Sequence, residues 1–191
     1  MNLELTGQRV LITGGSKGIG LAIAQAFAAE GAKPVLVSRD RANLAHAVQA
    51  IEAAHHITPE VFEADLGLPG SAEKLCQQVG DIDVLVNNAG LAAGLSPLHE
   101  GNIDDWEQMI DTNIKGLLYI TRGIAPLMVA QGFGHILNIG SIAGREVYPQ
   151  GNVYCATKHA VDALNKGMRI DLLPHHIKVS AINPGMVETE F

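Results

Sequence analysis

Tyr154 and Lys158 stand four residues apart in Tyr154-Cys-Ala-Thr-Lys158, and Ser141 lies thirteen residues before the tyrosine. On a helix, residues i and i+4 share one face, separated by a rise of about 6 Å. A free phenol titrates near about 10 and is a poor base at neutral pH. A fixed cation beside it favours the phenolate. At about 5 Å and an effective dielectric near about 20, the attraction is on the order of 3 kcal/mol, roughly two pK units. The expectation is therefore a Tyr154 phenol lowered by Lys158 into the range useful for general acid–base work. Tyr and Lys at this spacing also occur on many exposed helices, so the rest of the chain decides the meaning of the pair.

A second cluster lies near the N-terminus. Thr13-Gly-Gly-Ser-Lys-Gly-Ile-Gly20 follows an apolar run and opens a helical pattern, the context that a dinucleotide-binding turn needs. Gly14 permits the tight turn, Gly18 lets the backbone approach a pyrophosphate, and Gly20 permits close packing of helix on strand. Ser16 and Lys17 complete the turn. The helix N-terminus offers free N–H groups and partial positive charge to phosphates.

The next apolar run ends in Val37-Ser-Arg-Asp40. An NAD site places an acid here to accept from the adenosine ribose 2′-OH. Ser38 occupies the equivalent position, Arg39 follows, and Lys17 comes near the same point. Two cations and no carboxylate at position 38 suit the 2′-phosphate of NADP. Asp40 is the competing acid, and a shift of one residue would make the site one for NAD.

The elements that must position these residues alternate. Apolar runs at Arg9–Ile12, Pro34–Val37, Glu60–Glu63, Ile82–Val86, His135–Ile139 and Lys178–Ile182 read as strands. Helical patterns run over Gly18–Glu30, Arg41–His55, Ser71–Val79, Ile103–Gln131 and Asn152–Leu173, with Pro126 a candidate bend in the fourth. Asn152 is the expected cap of the helix that carries Tyr154. Strand–helix alternation implies α/β architecture, a doubly wound Rossmann-type domain over 1–191 with a parallel sheet and helices on both faces.

Composition fits. Of 191 residues, 47% are hydrophobic and only 4% aromatic, so small aliphatic side chains build the core. A formal charge of −7 argues against a nucleic-acid surface. No apolar run reaches membrane-span length, and the N-terminus has no signal-peptide pattern, which points away from a membrane partner. Cys76 and Cys155 are the only cysteines, which suits reduced thiols and a cytoplasmic location. The eight histidines carry no metal-binding spacing, and no metal site is expected.

The set resembles the short-chain dehydrogenase/reductase superfamily. The residues are Thr13-Gly…Gly18-x-Gly20, Asn87-Asn-Ala-Gly90, Asn113, Ser141, Tyr154, Lys158 and Pro184-Gly185. The resemblance implies that Tyr154 is the general acid of carbonyl reduction and the base of alcohol oxidation. It implies that Lys158 lowers the tyrosine pKa and binds the nicotinamide ribose, and that Ser141 holds the substrate oxygen. Asn113 would anchor a water that links Lys158 to solvent; the plainer alternative is that it ties down a helix irregularity. Asp65 would contact adenine, or else cap the turn before Gly67. Asn87, Ala89 and Gly90 would line the adenosine side, with Asn87 also bracing strands. Ile19, Gly140, Pro184 and Gly185 would belong to the cofactor shell, and Thr189 would contact the nicotinamide carboxamide. Subunits of the family pair through the long helices, which implies a homotetramer or homodimer.

The substrate is less legible. The segments Asn138–Ser141, Gly151–Lys158 and Pro184–Phe191 are similar to those of NADP-dependent 3-hydroxy acid dehydrogenases of the serine/allo-threonine type. A small alcohol or carbonyl substrate bearing a carboxylate needs a cation near Ser141. Arg145, in the loop between Ser141 and Tyr154, is the candidate, and a solvated loop arginine is the alternative. A 3-oxoacyl thioester reductase and a non-catalytic NADP-binding regulatory protein are the competing functional readings. The chain stops at Phe191, where the family continues with a substrate-covering segment, a further helix and a seventh strand, so a longer protein represented in part is expected.

Overall fold

The computed structural model describes residues 3–188. Six strands form one parallel sheet: β1 (Arg9–Thr13), β2 (Lys33–Ser38), β3 (Glu60–Glu63), β4 (Val84–Asn87), β5 (Gly134–Ile139) and β6 (Ile177–Ile182), in the order β3-β2-β1-β4-β5-β6. The order reverses between β1 and β4. Crevices at such switch points, beyond the carboxyl ends of the strands, are where parallel sheets bind ligands.

Alternate strand residues feed two cores, because successive side chains point to opposite faces. Leu11, Val35, Val37, Leu85 and Ile136 pack on one face with Ile120, Ile124 and Met128. Val10, Ile12, Leu36, Val84 and Val86 pack on the other with Ala24, Ala28, Leu44 and Ile51. The doubly wound α/β expectation is met. Strand ends move by one to two residues, most at β4, which begins at Val84 instead of Ile82.

The helices are α1 (Gly18–Ala29), α2 (Arg41–His55), α3 (Ser71–Val79), α4 (Ile103–Ile110), α5 (Leu117–Gln131) and α6 (Asn152–Leu172). Two expectations need correction. The pattern over Ile103–Gln131 is not one regular α-helix: a π-helical turn, Asp111–Gly116, separates α4 from α5. The irregularity lies here, and α5 continues through Pro126 to Gln131. Gly116 lets this turn press on Leu66, since a Cβ would come within 3.2 Å of the Leu66 carbonyl oxygen. Lys115 and Asp111 bridge the turn at 2.6 Å.

The second correction concerns α6. Its N-cap is Gly151, and no side chain caps it; Asn152 is the first helical residue. The Asn152 amide nitrogen instead donates to the Ser96 carbonyl at 3.0 Å, and its oxygen accepts from the Val153 N–H at 2.7 Å. The side chain thus ties α6 to the loop after β4, which explains its position better than capping.

Candidate active site

The glycine turn leaves β1 and enters α1. Gly14 has φ +63° and Gly18 φ +53°, left-handed conformations that glycine adopts without a Cβ penalty. A Cβ on Gly20 would collide with the Gly14 carbonyl oxygen and lie 2.6 Å from the Asn88 amide. The turn is thus closed on itself and on the loop after β4. Lys17 is the N-cap residue of α1 and its side chain does not cap the first turn. Ile19 lies half-buried in that turn.

At the end of β2, the buried Ser16 hydroxyl donates to Ser38 Oγ at 2.9 Å, fixing Ser38 beneath the turn. Asp40 is occupied elsewhere. It caps α2, accepting from the Asn43 N–H at 2.9 Å and from the Asn43 side chain at 2.8 Å. Arg39 is exposed and forms no ion pair among the described residues. A cation at position 39, with Asp40 committed to a helix cap, fits a 2′-phosphate.

The loop after β4 carries the next residues. Asn87 is buried, and its amide nitrogen donates to Thr121 Oγ1 and Asn138 Oδ1, both at 2.9 Å. It braces β4 against β5 and α5. Asn88 does what spacing did not single out: its side chain donates to the carbonyls of Thr13 and Gly14 at 2.9 and 3.2 Å. Thr13 Oγ1 accepts from the Asn88 and Ala89 N–H groups at 3.0 and 2.9 Å. Asp65 Oδ1 accepts from the Gly67 N–H at 3.0 Å, the turn-capping alternative.

Asn113 sits in the π-helical turn and is buried. Its oxygen accepts from the Leu91 N–H at 2.8 Å, and its nitrogen donates to the Leu91 carbonyl at 2.8 Å and to Thr157 Oγ1 at 3.1 Å. The side chain clasps the backbone beyond Gly90 and pins the irregular turn. A Cβ on Gly90 would stand 3.3 Å from Asn113 Oδ1 and 3.6 Å from Lys158 Nζ, so glycine keeps the space between those groups open.

Ser141 leaves β5 and opens a single 3-10 turn, Ile142–Gly144, with its Oγ accepting from the Ala143 N–H at 3.1 Å. The same hydroxyl hydrogen-bonds Tyr154. The turn packs so tightly on α6 that a Cβ on Gly144 would come within 2.7 Å of the Lys158 carbonyl oxygen. Pro184 and Gly185 press on the same turn, the Pro184 carbonyl accepting from the Ile142 N–H at 3.0 Å. Gly140 abuts Asn183. Thr189 lies outside the described residues.

Tyr154, Lys158 and Ser141 converge. Lys158 Nζ is 5.8 Å from the centroid of the Tyr154 ring and donates to the Ile139 carbonyl at 3.1 Å. The electrostatics reverse the expectation drawn from spacing. Burial raises the Tyr154 phenol above its ordinary value; a hydrogen bond with Ser141 opposes this and neighbouring Cys155 adds to it. Burial pulls Lys158 down from 10.5 to about 8. Spacing sets the separation of two groups, but not the loss of water around them. Here the desolvation of the phenol outweighs the hydrogen bond from Ser141.

A cavity of about 310 Å³ opens beside Tyr154. Leu95 and Ser96 of the β4 loop, Asp105 and Trp106 of α4, and Tyr148 and Gln150 before α6 are among its lining residues. Arg145 is exposed, does not line this cavity, and lies close enough to Asp162 to help lower its carboxyl pKa.

The described residues include no helix long and apolar enough to cross a membrane. The family of the short chain dehydrogenases matches residues 8–191, and the chain belongs to that family. An NADP-dependent 3-hydroxy acid dehydrogenase of Salmonella typhi is 44% identical over 189 residues, covering 95% of this chain and 74% of the relative. One of Schizosaccharomyces pombe is 38% identical over 193 residues, covering 98% and 74%. The closed form of a serine dehydrogenase complexed with NADP+ superposes with a TM-score of 0.88 at 39% identity, covering 96% of this chain and 75% of that one.

Proposed function

We propose that the protein is an oxidoreductase that transfers a hydride between NADP(H) and a small 3-hydroxy acid or the matching 3-oxo acid. The convergence of Ser141, Tyr154 and Lys158 beside the glycine turn carries this reading. Relatives that are 3-hydroxy acid dehydrogenases and a matching structure that holds NADP+ support the substrate class and cofactor.

The turn fits the dinucleotide. Gly14, Ser16, Lys17, Gly18, Ile19 and Gly20 would cradle the pyrophosphate, with Arg39 at the 2′-phosphate. Asp65, Asn87, Ala89 and Gly90 would line the adenosine side, and Pro184, Gly185 and Thr189 the nicotinamide side. When bound, the nicotinamide supplies or accepts the hydride.

The protein's own groups handle the proton. A phenol held above its ordinary pKa is protonated at neutral pH, so Tyr154 donates to the developing alkoxide in the reductive direction. Ser141 adds a second hydrogen bond to the same oxygen, and two aligned donors stabilise charge as it develops. Lys158, charged below about pH 8, restores positive potential beneath the phenol and favours its re-ionisation for alcohol oxidation. Asn113 acts through Thr157 and Leu91 as a positioning residue.

Residues 1–191 belong to one dinucleotide-binding domain in this reading. It works in the cytoplasm, consistent with two free cysteines, and as a homodimer or homotetramer. Leu118 and Tyr119 of α5 and Ile170 of α6 are exposed apolar side chains that self-association would cover. NADPH absorbance, followed with a panel of 3-hydroxy acids including serine, tests the function. Turnover with NADP+ and poorer use of NAD+ is expected. Silence across the panel, or equal use of NAD+, overturns it.

A further inference from the structure

Among the described residues, four non-glycine residues have φ in the left-handed region: Glu4, Gln150, His56 and His176. His56 and His176 close the C-termini of helical segments, where that conformation is the usual ending. Gln150 has no helix before it. The Gly151 N–H donates to the Tyr148 carbonyl at 3.1 Å, closing a four-residue turn of Tyr148, Pro149, Gln150 and Gly151. Proline in the second position and φ +65° in the third are the marks of a type II turn. That third position favours glycine, and a glutamine there carries strain with no benefit to the turn itself.

The strained side chain lines the cavity beside Tyr154. Its carboxamide forms no hydrogen bond among the described residues. Asn152, two residues on, is committed at both ends of its amide to Ser96 and Val153. The α4 wall of the cavity carries Asp105, whose charge repels an anion, and Arg145 is outside the lining. Gln150 and Tyr154 line the same cavity, so a carboxylate entering it can meet the uncommitted Gln150 carboxamide.

We infer that Gln150 is a specificity-determining residue whose side-chain N–H groups receive the carboxylate of the substrate. The inference rests on the 3-hydroxy acid reading of the site. It assigns to Gln150 the task that sequence spacing gave to Arg145. It also gives a use to a side chain at a turn position where glycine would be easier.

The test compares 3-hydroxybutyrate with its methyl ester, which keeps the reacting carbinol and removes the charge. KM and kcat are measured with NADP+ for the wild type, Gln150→Leu and Gln150→Gly. A hydrogen bond to a charged group is worth enough that both variants should raise KM for the acid about tenfold or more. Values for the ester should stay within about twofold of wild type. Gln150→Gly should also unfold at or above the wild-type Tm, because glycine relieves the left-handed turn. That separates lost recognition from lost structure. Equal changes for acid and ester, or no change for either, overturn the inference while leaving the function intact. A wild type that oxidises the ester but no 3-hydroxy acid overturns both.

Discussion

Asn113 Nδ2 donates to Thr157 Oγ1 at 3.1 Å, and the same hydroxyl donates to the Tyr154 carbonyl at 2.7 Å. A π-helical turn and the helix of the reacting phenol are thereby joined through one buried threonine. The link makes Thr157 a positioning residue. Thr157→Val keeps the shape and removes the hydroxyl. It should lower kcat about tenfold and stability by about 1–3 kcal/mol, since it leaves a buried amide hydrogen unpaired. Thr157→Ser should restore most of kcat. Steady-state kinetics and thermal unfolding of the two variants check this, and a failure of serine to rescue turnover sinks the positioning role.

Tyr154→Phe should abolish turnover while NADPH still binds, measured by nucleotide fluorescence. The raised phenol also fixes a sign. Reduction needs the protonated form, so its rate should be flat through neutral pH and fall only above the ordinary tyrosine range. Oxidation should rise with pH over the same interval. A reduction rate already falling at neutral pH would show that the phenol is lowered instead.

Lys158 gives a stability prediction in the cofactor-free protein. Its folded-state pKa of about 8 lies below the ordinary 10.5. Between those values the unfolded chain binds more protons, so stability rises with pH across that window. The cost of burying the charge is fully present below about pH 8 and relieved near 10.5. Lys158→Met should therefore stabilise the apoprotein at pH 7 by up to about 3 kcal/mol, less the lost bond to Ile139. The advantage should shrink toward pH 10.5 while activity is absent throughout. Denaturation of both proteins across that range decides it.

Arg39→Ala should raise KM for NADPH about tenfold or more, the usual loss for a charge-assisted contact to phosphate. KM for NADH should change little. Equal weakening toward both cofactors would place Arg39 away from the 2′-phosphate.

Much of the fold was legible because its signals are local. Six apolar runs alternating with helical patterns require a parallel sheet, and helices α2 and α3 fall on the residues read from the sequence. The glycine turn was equally plain, since glycine takes the positive φ at positions 14 and 18 without a Cβ penalty. Boundaries at β4 and the π-helical turn were not, because they depend on contacts between distant segments: Asn113 with Leu91, and Gly116 with Leu66.

By itself, then, the sequence determined the class of chemistry, because backbone geometry dictates which side chains an i, i+4 helix or a glycine turn can bring together. Tertiary structure decided how those side chains behave. Burial, which no spacing encodes, raised the tyrosine and lowered the lysine, against the direction that their separation alone implies. It also left Arg145 outside the cavity and placed Gln150 inside it. Those placements are set by the packing of loops onto α4 and α6, and desolvation and long-range contact exist only once the chain has folded.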